Sequence, residues 1–91
     1  MSTITLAPRL DLSTASTTAE AIRNQRGTDL TLDASQVTHL GGLGLQVILS
    51  AARTWAQDGT FLTIEPRSEA FNEALALFGV AADAHLMEVE A

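Results

Sequence analysis

The chain has 91 residues, 46% of them apolar, with 11 acidic side chains against 5 basic ones and a net charge of −6. That length suits one domain, residues 1–91, and the charge repels phosphate backbones and anionic lipid, so nucleic acid and membrane insertion are not expected. With no Cys, and only His39 and His85 far apart in sequence, a disulfide scaffold is excluded and neither a metal nor a cofactor is expected.

In chain order, Ile4-Thr5-Leu6-Ala7 alternates apolar and polar residues, which predicts a strand over about 3–7 that Pro8 closes. Ser13 and Thr14 offer a side-chain oxygen ahead of a helix over about 14–26, with Asp11 a favourable charge nearby. Ala15, Ala19, Ala21 and Ile22 form its inward stripe, and Gly27 suits the position just past its end. Leu30-Thr31-Leu32-Asp33-Ala34 alternates again as a strand, followed by a loop over 35–41. The helix expected over about 43–57 is apolar most of the way round and is therefore the most buried, with Asp58-Gly59 as its stop. Phe61-Leu62-Thr63-Ile64 is a strand ended by Pro66. Ser68 caps a helix over about 69–78 with Ala70, Phe71, Ala74, Leu75 and Phe78 at helical spacing. A last edge strand is expected over 85–89. Strands alternating with helices on short connections define an α/β fold: a largely parallel or mixed sheet of about four strands with helices packed against it.

No apolar run reaches the roughly 18 residues of a membrane span, and residues 1–4 lack the charged-then-apolar pattern of a secretory leader. A cytoplasmic location is the expectation. No set of side chains combines a nucleophile, a base and an oxyanion donor, so the chain is not expected to be an enzyme. The uncompensated acids Asp83, Glu88 and Glu90 read as a solvated tail.

The junction Gly41-Gly42-Leu43-Gly44 opens the central helix. Three roles fit it: an anion site on free helix N–H groups, a tight turn needed by the fold, or a bare surface that a partner approaches closely. It is not a Walker loop, since no Gly-Lys-Ser/Thr follows, and it lacks the dinucleotide-binding spacing. His39 reads as a rim residue, Asp33 as a loop or helix cap, and Trp55 as packing.

The stretch Asp33 to Leu49, a strand followed by a short loop and a Gly-rich helix start, resembles the signature of STAS domains, the fold of anti-sigma-factor antagonists. The family's junction runs approximately Asp-Ser-Ser-Gly-Leu-Gly, and a partner kinase phosphorylates its second Ser. Laid over this chain, the Asp falls on Gly41, the two Ser on Gly42 and Leu43, Gly44 and Leu45 match, and Gln46 stands for the last Gly. Leu10-Asp11-Leu12-Ser13-Thr14-Ala15, Asp58-Gly59-Thr60-Phe61-Leu62-Thr63-Ile64 and Leu75-Ala76-Leu77-Phe78-Gly79-Val80 extend the resemblance over residues 3–88. The extra first strand and the C-terminal helix of longer members are missing from the pattern.

The resemblance implies a protein-binding module of bacterial signal transduction that docks a kinase or regulator through residues 38–46. The implied contact residues are Thr38, His39, Gly41, Gly42, Leu43, Gly44 and Gln46. Leu43 cannot accept a phosphoryl group, and Ser35, Thr38 and Ser50 lie off the family's acceptor position. The Leu-Gln-Val-Ile-Leu run after the glycines is similar to small members found with chemotaxis histidine kinases; a sigma-factor circuit is the related setting. The alternative implied is a STAS subunit that binds and stabilises the ATPase of an ABC-type lipid transport system.

Overall fold

The computed structural model describes residues 2–78. The elements are β1 (Ser2–Thr5), β2 (Arg9–Leu10), α1 (Leu12–Arg23), β3 (Leu30–Ala34), β4 (His39–Leu40), α2 (Gly42–Asp58), β5 (Leu62–Arg67) and α3 (Glu69–Leu77). A three-stranded sheet in the order β1-β3-β5 and a two-stranded sheet of β2 and β4 account for the strands, and every pairing is parallel. This is the expected α/β architecture. The main sheet has three strands among the described residues, and the strand expected over 85–89 lies outside them.

Register and alternation sort the sheet into two faces. Ile4, Leu32 and Ile64 align, as do Leu30 and Leu62, and this apolar face meets the helices. Thr3, Thr31 and Thr63 align on the other face. The core continues through Leu45, Ile48, Ala52 and Trp55 of α2, Ile22 of α1, and Phe71 and Leu75 of α3, all buried. Trp55 packs there as expected, and its indole Nε1–H donates to the Thr28 carbonyl at 2.7 Å, so its one polar atom is satisfied inside the cluster.

Four boundaries differ from the sequence expectation. β1 ends at Thr5, short of the expected residue 7. The first helix starts two residues early because Asp11 is its cap: Asp11 Oδ1 accepts from the Ser13 N–H at 3.0 Å, and Thr14 Oγ1 accepts from the Asp11 N–H at 3.1 Å. The pair satisfies two groups at once, which Ser13 alone does not do. The same helix ends at Arg23, with Asn24 as its last cap. Gly27 sits three residues further on, at φ +98° in the turn rather than at the helix end. Finally, β5 runs through Pro66 to Arg67, with a cis Glu65-Pro66 peptide. Pro66 is tolerated because β5 is at the sheet edge among the described residues. Two caps agree with expectation. Gly59 closes α2 at φ +74°, and Ser68 Oγ accepts from the Phe71 N–H at 3.0 Å at the start of α3.

Candidate docking surface

The short β2–β4 pair anchors the junction. Pro8 lacks an N–H, but its carbonyl accepts from both Thr38 N–H (2.7 Å) and His39 N–H (3.1 Å). Thr38 Oγ1–H adds a third bond to the same oxygen at 3.1 Å. Gly41 N–H then donates to the Leu10 carbonyl at 2.8 Å. Residues 38–41 are thereby tied to 8–10, and the starts of α1 and α2 come side by side. A Cβ built on Gly41 would lie 3.8 Å from the Asp11 Cα.

The three junction glycines do different things. Gly41 is the N-cap of α2, in extended backbone and without a capping side chain. Its neighbour Gly42 is exposed, with no atom within 4 Å of where a Cβ would stand and no positive φ. Gly44 is buried: a Cβ there would lie 2.5 Å from the Leu10 carbonyl oxygen and 2.8 Å from the Leu10 Cβ. Close approach of α2 to β2 requires glycine at 44. Grouped by sequence with the contact residues, Gly44 instead faces inward and belongs to the packing; its neighbours at 42 and 43 remain outside.

Thr38, His39, Leu43 and Gln46 are exposed, and Leu43 keeps 49% of its surface open. Leu43 and Gln46 line the side of α2 that borders α1, Thr38 and His39 line a hollow against α3, and Gly41 and Gly42 lie between the two pairs in the chain. The structure adds a residue that sequence reasoning missed. Leu12, the first residue of α1, is 78% exposed, immediately after the cap that abuts Gly41. The signal was present in the Asp-Leu-Ser-Thr order, because a capping Asp11 makes Leu12 the first helical residue, where side chains project away from the helix body. His39 is a surface residue, as read. Asp33 Oδ1 accepts from the Ser35 N–H at 2.9 Å, which makes it a loop cap, and its hydrogen bonds to Ser35, side chain first, hold its carboxyl below the usual aspartate range. Ser50 is exposed on the side of α2 that borders α1. Among the described residues no group of three His, Asp or Glu is placed to hold a metal ion, and no helix is long and apolar enough to cross a membrane.

The arrangement is that of a small parallel α/β module whose two helix starts share one edge, with two exposed leucines there. A family model described as Mlab, STAS domain matches residues 1–88, nearly the whole chain, and the chain belongs to the STAS domain family. STAS domains in general bind protein partners and are in general non-catalytic. No curated protein and no solved structure matches the chain.

Proposed function

We propose that this STAS domain is a non-enzymatic docking module of bacterial signal transduction, cytoplasmic, which engages a kinase or regulator of a chemotaxis or sigma-factor circuit through the junction 38–46. The observation that carries the proposal is the pairing of Leu43, 49% exposed, with a bare Gly42 beside it. Full burial of a leucine side chain against a partner contributes about 1.5–3 kcal/mol. A glycine with open space above it lets the partner's backbone come close. With Leu43 at the family's acceptor position, docking is constitutive or set by the state of the partner, because no phosphoryl group can be placed there. A second reading draws on the same observation. A constitutive apolar contact also suits a STAS subunit that binds and stabilises a transporter ATPase.

Affinity capture with the tagged chain, followed by mass spectrometry, tells the two apart: a histidine-kinase-type or anti-sigma-type kinase for the first, a transporter ATPase for the second. The captured partner is then titrated against Gly42→Arg. A Cβ at position 42 meets nothing, so the variant should melt no lower than wild type and lose the partner. Wild-type affinity in Gly42→Arg would sink the proposal.

A further inference from the structure

α1 and α2 do not close against each other along their outer edges. Between them runs a groove of about 410 Å³. From α2 its lining includes Leu43, Val47, Ser50 and Thr54, and from α1 Ala15, Ala19 and Arg23, with Arg26 added from the turn that follows. Both sets recur every three or four residues, so the lining follows both helices rather than forming a local pit. From 43 to 54 the groove runs about 16 Å at 1.5 Å per residue, three turns of helix. Ala15 and Ala19 on one side and Ser50 and Ala51 on the other leave the floor shallow and smooth. A further helix can then approach to the usual 8–10 Å interaxial separation of about that class. An extended segment would instead need unpaired backbone groups to bond, and a groove walled by two helices has none to give.

Charge selects among helices. The chain has a net charge of −6, yet the ionisable side chains lining the groove are Arg23, the last residue of α1, and Arg26 in the turn after it. Arg26 is committed to Asp58, with Nε at 2.8 Å from Oδ2 and Nη2 at 3.1 Å from Oδ1. Arg23 is exposed and has no carboxylate against it among the described residues. The groove is thus apolar and small-residue-lined along its length, with one uncompensated guanidinium towards one end.

We infer that this groove seats an amphipathic helix of the partner protein, with apolar side chains at i, i+3 or i+4 and i+7 along Leu43, Val47 and Ala51, and a carboxylate that pairs with Arg23. This rests on the reading of the chain as a docking module and extends the contact from the junction along three turns of α2. Helix-in-groove recognition uses the same spacing of anchors, and an arginine–carboxylate pair fixes which way the helix lies.

The test uses the full chain as bait for a displayed library of helix-forming 16-residue peptides, with binding then measured on synthetic copies of the enriched sequences. Enriched peptides should carry the apolar spacing and an Asp or Glu. They should bind Ser50→Arg, which fills the groove from an exposed position, at least tenfold more weakly. Arg23→Glu should weaken them by about tenfold, the factor that corresponds to 1.4 kcal/mol. Changing the peptide's acid to Lys should restore binding to Arg23→Glu. Thermal melting of both variants checks that the domain is folded. No enrichment over empty bait overturns the inference. So do enriched peptides that are basic, or indifferent to both variants. Self-association of the chain that Ser50→Arg dissolves overturns it in favour of a second copy as the occupant. Gly42→Arg separates this inference from the junction proposal. A peptide lost from Gly42→Arg but kept by Ser50→Arg and Arg23→Glu supports the junction and refutes the groove. The opposite pattern supports the groove and removes Gly42 from the interface.

Discussion

Gly42 and Gly44 are two residues apart in one helix, yet adding a methyl group to each should move stability in opposite directions. At position 44 the new Cβ would stand 2.5 Å from the Leu10 carbonyl oxygen. A carbon and a carbonyl oxygen rest at about 3.3–3.6 Å, so α2 must move off β2 by close to 1 Å. The atom that blocks it is backbone, and it already accepts the Gly41 N–H at 2.8 Å, so it cannot swing aside. Overpacking of this kind costs about 1–3 kcal/mol. Loss of the Gly41–Leu10 hydrogen bond through that movement adds about 1 kcal/mol. Replacing a helical glycine by alanine gives back about 1 kcal/mol of propensity. The expected net is a loss of about 1–3 kcal/mol for Gly44→Ala.

At position 42 there is nothing within 4 Å and no positive φ. Gly42→Ala therefore keeps only the favourable part, about 0.4–1 kcal/mol from the reduced freedom of the unfolded chain. Urea unfolding followed by far-UV circular dichroism reads both, and each kcal/mol should appear as about 4–8 °C in a melting curve for a domain of this size. Gly44→Ala as stable as wild type would refute the close-packing role of that glycine. Both variants shifting in the same direction would refute the distinction between them.

Two further outcomes follow from the core and from charge. Phe71 is fully buried in α3, so Phe71→Ala should cost about 3–5 kcal/mol of folding, while any molecule that remains folded binds the partner with wild-type affinity; calorimetric titration at low temperature separates the two effects. Asp58 is held below the usual aspartate range chiefly by the hydrogen bonds from Arg26, which outweigh the opposing pull of desolvation, with that residue's charge a lesser help. Its folded-state pKa is depressed, so its contribution is fully present above the ordinary value of 3.8 and is lost as the pH falls through the lower folded value. Melting temperature should be insensitive to pH between 7 and 5 on this account and drop below 4, and Asp58→Asn should flatten part of that acid limb; an equal slope in the variant would show that the pair with Arg26 contributes nothing.

Much of the fold was legible because hydrophobic alternation and caps are local signals. Leu30 to Ala34 reads as a strand from its alternation alone, and the structure returns the same bounds. Ser68 and Gly59 mark helix ends by side-chain oxygen and by left-handed backbone, and both act as read. The errors come from choices that only tertiary partners decide. Asp11, Ser13 and Thr14 all have capping chemistry, and Asp11 wins because Thr14 can return the bond. Pro66 looks like a terminator, and its place inside β5 suits the edge position that β5 holds among the described residues, a property of topology rather than of residues 61–67. The two-residue strands β2 and β4 are too short for any period to show, and they pair across 30 positions of sequence.

The junction was the most informative stretch of the chain and also the one whose residues sequence alone could not tell apart. Three glycines in four positions look like one flexible patch. Their separate duties are set by what lies opposite: Asp11 and Leu10 beside Gly41, nothing above Gly42, and the Leu10 backbone against Gly44. Because the buried glycine locks α2 to β2, and β2 leads directly into the Asp11 cap, the start of α1 is fixed relative to the start of α2. Exposed Leu12 and Leu43 are then carried on two rigid helix starts rather than on a mobile loop. A partner that contacts both meets a surface whose ordering entropy was already spent in folding, which favours affinity at a small interface. The same coupling predicts where this surface is vulnerable. A change at Gly44 or Leu10, neither of which a partner can touch, should disturb binding as well as folding, whereas changes at Gly42 and Leu43 should disturb binding without weakening the fold.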